Sequence, residues 1–315
     1  MSPRRTGIWA ALASSFFLGF SPIFGRQAIL AGLSPWAVVA VRTLLAALIV
    51  FLAILLTQRR YLYIYPAGLL GCLLAGGING LGSLLFYGSL ARINASVGQL
   101  LNSTYPIFVA LWLTLDRQPP TRLTMVRLLL SLPAIYLLTQ TNGSSLDLVG
   151  VLMMLGAAAM YALHLPINQR VLYEMPAQTV TLYTLTAMSL VVVPAYFLIQ
   201  GVEVIPDFRS AGWWPVLGLT TVTLFSRLTL FTGVKHLGGM QTAIIGLFEL
   251  IVTVVIANLW LGEQLSTLQW TGAAILMGVV FLVAFDRGGP QNLRPGGWLR
   301  WLTPPTPEID LSQSR

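Results

Sequence analysis

Charge is what this chain has least of. Of its 315 residues only 9% are Asp, Glu, Lys or Arg, against about 25% in an average soluble domain. A soluble fold so poor in charge could not cover its surface, so the class is a polytopic membrane protein. A single cysteine, Cys72, excludes an internal disulfide and any multi-cysteine metal site. Two histidines, His164 and His236, leave no His-x-x-x-His zinc motif. Lys235 is the one lysine, and no Gly-rich stretch ends in Gly-Lys-Ser/Thr. ATP-driven transport by this chain alone is therefore not expected, and neither is a metal or cofactor.

What is abundant is apolar: 56% of residues are hydrophobic and the mean hydropathy is +0.78. The formal net charge of +8 would suggest nucleic acid in a soluble protein. Here it reads as basic loops facing an anionic leaflet, with no nucleic acid as partner. A spanning helix needs about 20 apolar residues, within a range of about 17–25. Ten such runs are expected, at about 8–24, 36–57, 66–90, 96–115, 123–139, 148–167, 180–199, 213–234, 241–261 and 270–285. The first follows Arg4 and Arg5 as a signal peptide would, but its twin later in the chain favours a span. The connections are short, so whatever the protein does is done within the bilayer.

With the N-terminus placed in the cytoplasm, thirteen Lys and Arg residues fall inside, three (Arg26, Arg92, Arg209) fall outside, and Arg42 and Arg227 lie within spans. Both termini should then be cytoplasmic, in the inner membrane of a bacterial-type cell. Sliding the chain by 144 residues sets Pro22-Ile23-Phe24-Gly25-Arg26 on Pro166-Ile167-Asn168-Gln169-Arg170, Tyr87 on Phe231 and Leu115 on Leu259. Five spans is an odd number, so the second unit enters from the opposite side. The fold expected is all-α, with ten transmembrane helices arranged as two inverted five-helix repeats. Residues 1–141 form the first, 142–286 the second, and 287–315, rich in Pro, Gly and polar residues, a flexible cytoplasmic tail.

Polar residues inside apolar runs carry the functional reading. A carboxylate at bilayer depth costs about 2.5–3.5 kcal/mol even on insertion scales, so Glu249 needs a reason. At about 1.5 Å per residue, Glu249 and Arg227 lie at matched depths on consecutive antiparallel spans, which permits a buried ion pair. That pair is either structural or one that opens for substrate or protons. Arg42 either snorkels to the outer headgroups or faces a cavity. Asn79, Ser83 and Tyr87 recur every four residues and share one face of the third span, as do Gln99, Asn102 and Ser103 on the fourth. Tyr105 follows there, and His164 stands two residues before Pro166. The cavity candidates are thus Arg42, Asn79, Ser83, Tyr87, Asn102, Tyr105, His164, Arg227 and Glu249. Pro22, Pro106 and Pro166 each remove a backbone hydrogen bond inside a span and are candidate hinges.

Several of these features resemble the EamA-type members of the drug/metabolite transporter superfamily. They are the inverted fives, Arg42-Thr43-Leu44-Leu45-Ala46-Ala47, Phe248-Glu249-Leu250 and Leu261-Gly262-Glu263-Gln264, and the resemblance covers residues 7–286. The first repeat departs from the pattern, with Leu115-Asp116-Arg117 in place of a Gly-Glu ending and Tyr105-Pro106 opposite Glu249-Leu250. The resemblance implies a secondary carrier, commonly an exporter of amino acids or other small metabolites. It also implies a central cavity walled by spans one to four and six to nine, with spans five and ten at the periphery. The partners expected are a small-molecule substrate, the lipid bilayer and a coupling proton to be tested for, in a monomer or weak dimer. A membrane-embedded lipid-modifying enzyme and a non-transporting scaffold remain as alternatives.

Overall fold

The computed structural model describes residues 3–93, 95–117, 120–138, 147–201, 213–261, 266–282 and 297–302. Within them the chain forms thirteen α-helices and no strand. In order they are α1 (Pro3–Gly19), α2 (Ser21–Leu30), α3 (Pro35–Thr57), α4 (Pro66–Leu90), α5 (Ala95–Asn102), α6 (Tyr105–Leu115), α7 (Arg122–Leu138), α8 (Leu148–Leu172), α9 (Ala177–Gln200), α10 (Trp213–Leu237), α11 (Gly239–Gly246), α12 (Phe248–Leu261) and α13 (Thr267–Leu282). Local chemistry sets several starts. Pro35 and Pro66 occupy first-turn positions, where their missing N–H costs nothing. Ser34 Oγ caps α3 by accepting from Ala37 N at 3.1 Å. Asp147 caps α8, accepting from Val149 N at 2.8 Å and Gly150 N at 3.2 Å. Arg92 donates to the same carboxylate at 3.0 Å and, with those amides, holds its pKa below the ordinary carboxylate range.

Among the described residues, seven helical stretches are long and apolar enough to cross a membrane, among them α1–α2 taken together and α11–α12 taken together. Three of the ten expected runs fall outside that set. The described parts of α7 and α13 comprise 17 and 16 residues and each borders residues outside those described, and the fourth run is cut into α5 and α6 by a turn at Ser103–Thr104. The exterior is lined with leucines such as Leu48, Leu52, Leu56, Leu129, Leu190 and Leu198, while Arg42, Asn79, His164, Arg227 and Glu249 are buried. This reversal of the usual distribution is that of a protein solvated by acyl chains.

Contacts at the helix ends define two faces. Gly7 of α1 meets His236 and Leu237, Thr179 Oγ1 donates to Tyr61 O and Lys235 Nζ donates to Met175 O. These place the start of α1 and the end of α10 at one end, called here the near end. The far end joins Ser34 to Gln200 and Arg92 to Asp147. Thus α1 starts at the near end and α8 at the far end, although both open their half of the chain.

The helix pairings respect an exchange of the halves. The strongest are α4 with α8, and α10 with α1, which map onto each other when α1–α2 is exchanged with α8 and α4 with α10. The pairs α6–α8 and α1–α12 exchange likewise, while α3–α9 and α7–α13 map onto themselves. Every one of these contacts joins the first half to the second, so neither half builds its own core. The α7–α13 pair sits at one edge.

Small residues let these helices approach. A Cβ added at Gly76 of α4 would stand 2.5 Å from Thr184 O and 2.6 Å from Ala187 Cβ of α9, whereas one at Gly77 meets nothing closer than Val191 Cγ2 at 3.9 Å. Replacing Gly76 by alanine should therefore force α4 from α9 and cost about 1–3 kcal/mol. Gly77→Ala should be neutral or slightly stabilising. Thermal unfolding of both variants in detergent checks this, and equal midpoints would contradict the packing described.

Candidate functional site

The helices do not close completely at their centre. A cavity of about 70 Å³ lies there, room for roughly five waters at about 10–15 Å³ each. Its wall includes Ser21 of α2, Arg42 of α3, Asn79, Ser83 and Tyr87 of α4, Gln99 and Asn102 of α5, Tyr161 of α8, Arg227 of α10 and Glu249 of α12. Seven of the nine cavity residues expected from the sequence are brought together. Arg42 faces this interior and not the headgroups.

Each ionic group is held by neutral neighbours. Arg42 donates from Nη1 to Thr223 Oγ1 at 2.9 Å and from Nη2 to Ser83 Oγ at 3.4 Å. Its guanidinium carbon lies 4.8 Å from the centre of the Tyr87 ring. The Tyr87 hydroxyl is in turn 3.0 Å from Ser21 Oγ. Arg42 Nε has no acceptor among the described residues. Glu249 Oε1 accepts from Gln99 Nε2 at 2.9 Å. Arg227 is served twice: with the Asn79 amide turned so that its oxygen faces the guanidinium, that oxygen accepts from Nη2 at 2.6 Å and Nη1 at 3.2 Å, and His164 Nε2 lies 3.1 Å from Nη1.

The matched-depth expectation for Arg227 and Glu249 holds in one respect and fails in another. Both reach the same cavity, but among the described residues no ion pair joins them. Each instead has a neutral partner of its own: Gln99 for Glu249, Asn79 and His164 for Arg227.

Two expected cavity residues do not line it. His164 is fully buried behind Arg227. Its Nδ1 meets the Tyr161 carbonyl, which only accepts, so Nδ1 carries the proton and Nε2 is the acceptor for Arg227. This is a neutral imidazole in a fixed tautomer, shaped to position a guanidinium. Tyr105 is buried against Tyr161, ring centroids 5.0 Å apart and nearly perpendicular. Its hydroxyl donates to Ala243 O at 2.9 Å. Leu247 N turns to Ile244 O at the break between α11 and α12, and the phenol supplies the Ala243 carbonyl with a donor. Gly246 leaves the room: a Cβ there would overlap the Tyr105 hydroxyl.

Helix interruptions surround the cavity. Pro22 opens α2 after the break at Phe20, and Pro106 opens α6 after the turn at Ser103–Thr104. Pro166, the repeat mate of Pro22, lies inside an unbroken α8. The shift of 144 residues carries Ser103 onto Leu247, so the breaks in the fourth and ninth runs correspond, although the second has no proline. The carbonyl of Gly19, beside the first break, accepts from Thr253 Oγ1 at 2.8 Å. Backbone interruptions at this depth are tolerable only with such partners.

Sequence reasoning passed over Tyr161, Ser21, Phe86 and Thr223. Two carried a signal. Tyr161 is three residues before His164 and Thr223 four before Arg227, each on one helix face with a residue already singled out. Among the described residues no group of three His, Cys, Asp or Glu side chains could hold a metal ion. The Gly262–Gln264 motif lies outside the described residues.

Comparison with known proteins agrees with this architecture. No curated protein matches the sequence. Among solved structures, one titled only "Crystal structure of protein" superposes with a TM-score of 0.72 at 14% identity, covering 89% of this chain and 96% of that one. At such identity the likeness shows the fold alone. The EamA-like transporter family matches twice, over residues 5–140 and again over 148–285. The two matches fall on the two halves that the helix pairings exchange, and the chain belongs to the EamA-like transporter family.

Proposed function

We propose that this membrane transporter is a secondary carrier that moves small metabolites bearing a carboxylate, amino acids among them, by alternating access, in the export direction. Ten spans in two inverted fives would carry it, with α7 and α13 as the short peripheral spans and both termini in the cytoplasm of a bacterial-type cell. The observation that supports this most is the central cavity. Arg42, Arg227 and Glu249 meet there inside a bundle whose exterior is leucine. Ionised, they sum to one positive charge. An anionic group then finds two guanidiniums, and an ammonium finds one carboxylate. Room for about five waters suits a ligand of few heavy atoms. Arg42, Asn79, Ser83, Tyr87, Asn102, Arg227 and Glu249 form the proposed binding wall, with Tyr105 and His164 behind it.

The broken helices support the moving part of the reading. The interruptions near Pro22 and Pro106, and at Leu247, put compliant backbone beside the site, as transporters built from repeats commonly do.

A substrate screen in proteoliposomes, with and without a proton gradient, tests the whole proposal. Glu249→Gln should insert and fold normally, because a glutamine oxygen still accepts from Gln99. Its transport should fall about tenfold or more, since a substrate's ammonium would meet a neutral amide in place of the carboxylate, exchanging a charged hydrogen bond worth about 1.5–3 kcal/mol for a neutral one worth about 0.5–1.5 kcal/mol. Full activity in that variant would remove Glu249 from the mechanism. Replacing Pro22 and Pro166 together by alanine should slow turnover with little change in binding. Because Pro22 begins a helix and Pro166 lies within one, most of the effect should come from Pro22→Ala alone, as single variants would reveal.

A further inference from the structure

The segment expected to be a flexible tail is seated, over 297–302, in the near end of the bundle. This corrects the expectation for those six residues. Leu299 and Leu302 are both 0% exposed and form one apolar cluster with Ala75 of α4 and Ile167 of α8. A short 3₁₀ turn, Arg300–Leu302, joins them. Gly71 of α4 gives Leu302 its place, since a Cβ there would stand 2.8 Å from Leu302 Cδ2.

The polar contacts are as specific. Asp116, just past α6, accepts Arg170 Nη2 of α8 at 2.5 Å through Oδ2, and Leu299 N at 3.1 Å through Oδ1. The ion pair is buried, with side chains 3% and 1% exposed. At the other side of the turn, the Tyr65 hydroxyl donates to Leu302 O at 3.4 Å. One carboxylate thus binds both the second half of the protein and the C-terminal segment.

Asp116, Tyr65, Gly71 and Ala75 belong to the first half, whereas Arg170 and Ile167 belong to the second. The segment therefore bridges the two halves at one end only. The central cavity is reached by residues displaced toward the other end: Arg42 is seven residues, Gln99 four and Ala157 nine from the far-end starts of α3, α5 and α8. We propose that residues 297–302 are a strap that holds the near end shut, and that the near end opens only when Leu299 and Leu302 leave their seats. The strap makes the far-side-accessible arrangement the resting one and gives residues 297–302 control over the near-side opening.

The consequence for transport rests on the carrier reading above, but the closure can be tested without a substrate. Two reporters, Ala75→Cys on α4 and Ile167→Cys on α8, are each placed in the full-length chain with Cys72→Ala. Their reaction with a hydrophilic maleimide is followed in detergent. Both should react slowly in the parent chain. Leu299→Asp with Leu302→Asp should speed both reactions about tenfold or more, as expected from losing two buried leucines. Leu299→Ala with Leu302→Ala, which adds no charge, should do the same to a smaller degree if the aspartate variant fails to fold. Thermal midpoints report whether the bundle stays folded. Rates unchanged by either pair, or fast reaction in the parent chain, would overturn the strap. Neither result bears on whether the cavity binds a substrate, and failure to find a transported compound would leave the strap's labelling untouched.

Discussion

Three ionic side chains buried among acyl-solvated helices set the terms for the rest of this structure. Groups taken out of bulk water need replacement partners, and the protein supplies them for much of Arg42, Arg227 and Glu249. It does so with neutral groups: Thr223, Ser83, Asn79, His164 and Gln99. A direct Arg227–Glu249 pair would satisfy both charges, but it would also lock them to each other. Neutral partners hold the charges in position and leave their fields directed into the cavity.

Those partners come from both halves of the chain. Gln99 lies in the first half and Glu249 in the second, and Asn79 and Arg227 are divided the same way. Since the main helix pairings also cross between halves, the interface is at once the hydrophobic core and the polar site. A movement of one half against the other must therefore exchange packing and hydrogen bonds together. The glycine seam of α4 keeps that interface thin, and the helix breaks near Phe20, Ser103 and Leu247 make it deformable.

The sequence revealed the architecture more readily than the contacts. Apolar runs were enough for approximate helix positions, and α4 begins and ends where its run does, while the breaks that divide the first, fourth and ninth runs were not foreseen. The seven cavity residues that did converge were legible because a polar group inside an apolar run needs compensation, whatever its role. What stayed hidden depends on distance in space. Tyr105 and His164 are as buried and as polar as the cavity residues, and only coordinates separate a group that faces a void from one that supports its neighbour. The break at Leu247 had no proline to announce it. The seating of Leu299 and Leu302 was masked by the polar, Pro- and Gly-rich composition around them.

The phenol of Tyr105 ties two of these interruptions together. It stands at the first turn of α6, directly after the break in the fourth run, and its proton goes to the carbonyl that the α11–α12 break leaves without its helical donor. Were α11 and α12 to straighten, Leu247 N would reclaim Ala243 O and the tyrosine would be expelled from the notch at Gly246. The two kinks are in this sense geared: the tyrosine set by the break in the fourth run supplies the donor that the break in the ninth leaves missing.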